Sequence, residues 1–327
     1  MAAGDRNVSG LLFDDRGSGG WGWRQRTLAS SVRCQGVGLH TGAGASLALH
    51  PAEAGSGIIF RRTDAGGGGA TVAAHCRNVS DTRLCTTLAN RDGVAVMTVE
   101  HLLAALAGAG IDNVLVEIEG PEVPAMDGSA APFMDLIAAA GIAALDAPRR
   151  LLLVTREIRV GDPWRGAAVL PHSRFSIDME IAFAAPAIGR QRLVYDPGSE
   201  DFASRIAPAR TFAQLADVEA MRSGGLARGG SLGTAVVDSG ARVLNAEGLR
   251  FPDEFVRHKI LDSIGDLALA GGPILGRFVG RRPGHALNIA LLRRLLAHPG
   301  AWRWADSAAH DQAMPTSRSR SAMASTR

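Results

Sequence analysis

From Gln25 to His50, apolar and polar residues alternate around turn glycines, most clearly in Gly36-Val-Gly-Leu-His-Thr-Gly42, and this period of two predicts strands. Gly66–Gly69 reads as a loop. The period then lengthens: Thr98 stands as an N-cap before an apolar helix through about Leu106, stopped by Gly108 and Gly110. Val114-Leu-Val-Glu-Ile118 predicts a strand, Asp127-Gly-Ser a turn, and 132–140 a second helix ended by Gly141. After Pro148-Arg-Arg the strands resume at 151–155, 158–160, 167–170 and 175–183. Helices follow near 212–223 and 253–270, then a strand and a helix to about 298.

Each half thus runs strands, then helix, strand, helix. Two segments echo one another: Glu100-His101-Leu-Leu-Ala-Ala-Leu-Ala-Gly and Arg257-His258-Lys-Ile-Leu-Asp-Ser-Ile-Gly each place a histidine in the N-terminal half of a helix. The expectation is an α+β fold of two similar lobes, 23–147 and 148–305. Each would be a β-sheet layered with helices, and the two would pack face to face with the active site between them. The Gly/Ser/Asp-rich residues 1–22 read as a disordered extension, and 306–327 as a flexible tail.

Composition narrows the class. The chain has 327 residues, 46% hydrophobic and 20% charged, which is ordinary for a soluble globular protein of about two domains. A net charge of +3 with dispersed arginines argues against a nucleic-acid surface. Cys34, Cys76 and Cys85 lack metal-type spacing, and an odd, low count fits a reducing cytoplasm. No apolar run is long enough to span a bilayer, and the first 22 residues lack the apolar core of a secretory signal. No phosphate-binding G-x-x-x-x-G-K-[ST] occurs.

One lysine, Lys259, stands among 35 basic residues. A chain that has replaced nearly every lysine by arginine keeps one where a compact ammonium is needed and a planar guanidinium will not serve. Its neighbours His258, Asp262 and Asp266 recur every four residues and so share one helix face. His258 and Asp262 have the i, i+4 geometry of a metal-ligand pair, although an ordinary helical ion pair looks the same. Glu100 and His101 point about 100° apart, so one can bind a metal while the other addresses its water. Alone, the dipeptide is also what a helix N-terminus favours. His285, in Pro283-Gly-His-Ala-Leu-Asn288, follows a strand-like segment and is placed to project into a cleft or to lie solvated in a loop. Thr211 offers a hydroxyl to a developing oxyanion, or serves as a strand residue or cap.

Together these segments resemble the zinc-dependent UDP-3-O-acyl-N-acetylglucosamine deacetylase family of lipid A biosynthesis. The matching pieces are Gln25-Arg-Thr-Leu, Gly36-Val-Gly-Leu-His-Thr-Gly, Thr98-Val-Glu-His-Leu, Gly110-Ile-Asp-Asn, Met126-Asp-Gly-Ser-Ala-Ala-Pro-Phe, Ala209-Arg-Thr-Phe, Arg242-Val-Leu-Asn, Phe251 to Asp266, and Gly284-His-Ala-Leu-Asn. They fall in order over nearly the whole body of the chain. The resemblance implies His101, His258 and Asp262 as zinc ligands, with iron(II) as the alternative ion. It implies Glu100 as general base, His285 as cationic partner or general acid with Asp266 orienting its imidazole, and Thr211 sharing the oxyanion with the zinc. Lys259 would meet the substrate's diphosphate. Leu39, the helix from Phe212 to Met221, and Gly229-Gly230-Ser231 would line an acyl passage.

The implied reaction is hydrolysis of the N-acetyl amide of a UDP-sugar by a monomeric cytoplasmic enzyme, with transient contact at the inner leaflet and no nucleic acid. Zinc makes water acidic and polarises the amide carbonyl; a base and an acid in opposite protonation states then give a bell-shaped pH profile. Three other readings stand beside it. A deacylase acting on another sugar nucleotide would use the same ligands. A catalytically silent sensor would need neither base nor acid. A kinase-like two-lobe fold would need the missing phosphate loop.

Overall fold

Two five-stranded sheets carry the same strand order. In the first, Val32–Val37, Gly44–Pro51, Val114–Glu119, Ile58–Arg62 and Ala70–Ala73 lie side by side in that sequence. In the second the neighbours are Ile158–Gly161, Gly166–Leu170, Arg277–Arg281, Ser176–Ala182 and Arg190–Tyr195. Both sheets insert their last strand between the second and the third. In both, only the third and the last strands pair parallel. A parallel pair needs a crossover, and in each case the crossover holds a helix. The helices that carry His101 and His258 thus each lie in the crossover of one of two topologically matched sheets.

The computed structural model describes residues 24–65 and 70–306. The expected extension at 1–22, the Gly66–Gly69 loop, and the tail beyond Asp306 lie outside the described residues. The helices are α1 (Glu100–Gly108), α2 (Ala131–Ala140), α3 (Phe202–Arg205), α4 (Leu215–Ser223), α5 (Glu254–Ala268) and α6 (His285–Leu296). The whole is a mixed α/β fold in which several sheets, including four smaller ones that each hold two or three strands, interleave with helices. No helix among the described residues is long and apolar enough to cross a membrane.

The two crossover helices, α1 and α5, pack against each other at the centre. Helix α1 is built from Leu and Ala, good helix formers, and Leu102, Leu103, Ala104, Ala105 and Leu106 are fully buried. Burial on every side is what an all-round apolar helix requires, and each leucine contributes roughly 1.5–3 kcal/mol. At the far end of α1, Gly108 lets the Phe202 ring close on the helix, since a Cβ there would lie 2.1 Å from the ring. Helix α5 is less apolar, yet His258, Asp262, Ser263 and Asp266 are buried along it as well. Its first residue, Glu254, is sealed from solvent and accepts hydrogen bonds from the Arg210 backbone N–H and Nε and from the Arg250 backbone N–H. That buried pair ties the 209–211 segment to the start of the helix.

Two local expectations are corrected. Thr98 does not cap α1: the N-cap is Val99, without a side-chain bond. Thr98 has φ +57°, and its hydroxyl donates to Glu122 Oε1 at 2.7 Å. A buried carboxylate that also accepts from His40 N, Thr41 N and Thr41 Oγ1 outcompetes the helix end for that hydroxyl. The helix expected from 212 begins at Leu215. Phe212–Gln214 is instead a strand paired parallel with Val236–Asp238. Two neighbouring aromatics, Phe183 and Phe255, hold the Phe212 ring edge-on at 5.5 and 4.9 Å, so tertiary packing overrides the helical pattern.

Candidate metal centre

The contact of α1 with α5 brings His101 and His258 edge to face, with ring centroids 5.0 Å apart. Asp262, one turn beyond His258, completes a buried group whose candidate ligand atoms all lie within 4.8 Å of one another. Asp262 Oδ1 sits 3.2 Å from His258 Nε2 and 3.6 Å from His101 Nε2. That same oxygen is buried and has no hydrogen-bond partner among the described residues. An orphaned carboxylate oxygen facing two imidazole nitrogens is costly in a dry interior. It is what a divalent cation would satisfy. These residues fit a metal.

Protonation states agree. Burial lowers the His258 imidazole to about 3, helped by the charges of His101 and Lys259, so it is neutral near pH 7 and able to ligate. Its Nδ1 lies 3.0 Å from the Ala209 carbonyl, which fixes the ring and directs Nε2 inward. Burial alone would raise the Asp262 carboxyl, but His258 and Lys259 outweigh it and hold it well below the ordinary range. With His258 neutral, the nearest lasting positive charge on Asp262 is Lys259, whose Nζ donates to Oδ2 at 2.7 Å, with the His285 imidazolium farther off at 4.0 Å.

Glu100 and His285 flank this cluster. His285 Nε2 is 3.8 Å from Glu100 Oε1 and 4.0 Å from Asp262 Oδ2. Burial pushes the Glu100 carboxyl above its ordinary value, against the pull of His285 and His101. Burial would lower His285, but Asp266 and Glu100 outweigh it and raise its imidazole to about 10. His285 is not in a loop: it is the first residue of α6 and is buried. Its Nδ1 meets Asp266 Oδ2 at 2.8 Å, the same oxygen that accepts from Asn288 Nδ2 at 2.9 Å.

Of the remaining sequence candidates, Phe212 and Lys259 contact this core directly. Phe212 faces His258 at 6.1 Å between ring centroids and lies 5.3 Å below the Lys259 ammonium. Leu39 is bonded through its carbonyl to the Gly229 N–H, next to Gly230. Thr211 is held by backbone bonds to Gly128 and Val236, two residues from the Ala209 carbonyl that carries His258. The structure adds a residue that the sequence did not flag. Thr86 donates its amide to Glu100 Oε2 at 3.0 Å and its hydroxyl to Asp266 Oδ1 at 2.6 Å. No spacing rule reaches it, because Asp266 is 180 positions away.

Residues 25–297 match the LpxC family, described as UDP-3-O-acyl N-acetylglycosamine deacetylase. The chain is 50% identical over 280 residues to the UDP-3-O-acyl-N-acetylglucosamine deacetylase of Myxococcus xanthus, covering 86% of this chain and 88% of that one. It is 49% identical over 284 residues to the Vibrio cholerae protein of the same name (86% and 93% covered). To the Photobacterium profundum protein it is 48% identical over 284 residues, with the same coverage. The chain belongs to this deacetylase family. With the His101–His258–Asp262 cluster, that membership makes it a metal-dependent amide hydrolase.

Proposed function

We propose that the chain hydrolyses the N-acetyl amide of UDP-3-O-acyl-N-acetylglucosamine, releasing acetate and UDP-3-O-acyl-glucosamine for lipid A synthesis, with zinc as the ion. One observation carries the mechanism: a buried carboxylate and a buried imidazole, both held above their ordinary pKa, stand 3.8 Å apart beside three buried metal ligands. The two halves, divided near residue 148, face each other across α1 and α5, and the site lies between them.

A zinc ion held by His101, His258 and Asp262 supplies Lewis acidity toward the amide oxygen and the attacking water. Glu100 Oε1 takes the proton of that water, and its raised pKa makes it the stronger base. The imidazolium of His285 delivers a proton from Nε2 to the departing nitrogen, while Asp266 holds the proton on Nδ1. Thr211 donates its hydroxyl to the oxyanion. Lys259 attracts the diphosphate, and Leu39, Phe212 and Gly230 line the acyl chain. Such a chain serves as a cytoplasmic monomer that meets its acylated substrate at the inner leaflet.

The test is deacetylation of UDP-3-O-acyl-N-acetylglucosamine by the purified protein as isolated, after chelation, and after return of one equivalent of zinc. Activity lost and regained is the expected result. Inactivity with zinc fully bound rejects this substrate.

A further inference from the structure

Thr86 is fully buried and directs its N–H and its hydroxyl into the site. Its N–H donates to Glu100 Oε2 at 3.0 Å, and its carbonyl accepts from the Val99 N–H at 3.3 Å, just before α1. Its hydroxyl donates to Asp266 Oδ1 at 2.6 Å and lies 3.2 Å from His285 Nδ1. The other Asp266 oxygen is filled by His285 and Asn288. The Asp266 carboxylate is thus anchored on both oxygens, and the Oδ1 anchor comes from the opposite half of the molecule. We propose that Thr86 is a positioning residue of the acid–base pair: its hydroxyl fixes the carboxylate that aims His285, and its amide fixes Glu100 from the other side. The inference rests on the deacetylase reading above.

The physical reason is rotation. A carboxylate anchored through one oxygen can turn about Cβ–Cγ, and the imidazole bonded to it turns too. His285 Nε2 then leaves its place beside Glu100, and misplacement by about 1 Å costs on the order of 100-fold in rate. Thr86 itself is fully buried with its polar groups on protein partners, so the loss belongs to turnover and not to binding.

Thr86→Val removes the hydroxyl and keeps the shape and the amide. In the full chain with one zinc bound, kcat is expected to fall about 10- to 100-fold, with KM within about twofold and zinc content unchanged. Thr86→Ser is expected to recover most of the loss. In an Asp266→Ala background, adding Thr86→Val is expected to cost little more, because Thr86 acts through Asp266. Should Thr86→Val not fold, Thr86→Ala takes its place against Thr86→Ser. Unchanged kcat, a serine variant as slow as the valine or alanine one, or additive losses in the double variant each overturn the proposal. An inactive wild type with zinc bound overturns the deacetylase reading and this inference with it. An active wild type with an unimpaired Thr86→Val overturns the inference alone.

Discussion

Gly265 of α5 lies against the peptide of Glu100 in α1: a Cβ on Gly265 would come 2.0 Å from the Glu100 carbonyl oxygen. The two helices therefore touch backbone to backbone at the residue proposed as the base. One methyl group is enough to part them, because the obstacle is a peptide that cannot rotate aside. Gly265→Ala is expected to cost at least the ~1–3 kcal/mol of ordinary overpacking and to loosen metal binding, since His101 and His258 sit on the parted helices. Thermal unfolding and zinc content of the purified variant measure both. Wild-type values for the two would show that the helices tolerate separation.

Ligands and acid–base groups separate by what they lose. His258→Ala removes a ligand from a buried set of three and is expected to lower zinc occupancy together with activity. Glu100→Ala and His285→Ala leave all three ligands in place. Each is expected to cut turnover by about 10²–10⁴-fold with zinc content unchanged. Metal analysis alongside single-turnover rates decides the matter: zinc lost from either acid–base variant contradicts the assignment.

The pH response follows from the same groups. The proposed mechanism needs Glu100 ionised and His285 protonated. Rate should rise as pH climbs through the raised Glu100 value and fall on the alkaline side as His285, raised by Asp266 and Glu100, loses its proton; a bound dication beside it draws that limb below the metal-free value of about 10. Stability of the metal-free chain has its own signs. His285 titrates at about 10 when folded against 6.5 unfolded, so its contribution is complete below 6.5 and is lost as pH rises toward 10. His258 is the reverse: buried neutral with a folded value of about 3, it opposes unfolding less as pH drops from 6.5. Thermal scans of chelated protein across pH should therefore show a midpoint falling on both sides of neutrality. A flat alkaline limb would remove His285 from the account.

Much of this site was legible because its ligands obey local rules. His258, Asp262 and Asp266 share a helix face, and the motif echo around His101 corresponds to a real topological match between two sheets. What the chain did not reveal are contacts made across the fold. Thr98 reads as a cap until Glu122 claims its hydroxyl. Phe212 has helical neighbours in sequence but aromatic neighbours in space. Thr86 reaches Asp266 only because the fold brings two distant segments together, and no periodicity encodes a partner 180 residues distant.

Lys259 carries the sharpest remaining test, because its ammonium is placed for two duties. It donates to Asp262 Oδ2 at 2.7 Å, and its side chain remains about a quarter exposed at 24%. A purely structural ion pair would be served by any cation; a diphosphate site in a chain of arginines would keep a lysine for its compact charge. If the ammonium meets substrate, Lys259→Ala should raise KM with kcat less affected. The loss in kcat/KM should be about 10- to 100-fold, the worth of one charge-assisted hydrogen bond of ~1.5–3 kcal/mol. Lys259→Arg should restore charge without restoring KM, because a longer planar group does not fit the same place. Zinc content is the control. If Lys259→Ala loses metal in step with activity, the ammonium acts on Asp262 and the diphosphate is held elsewhere.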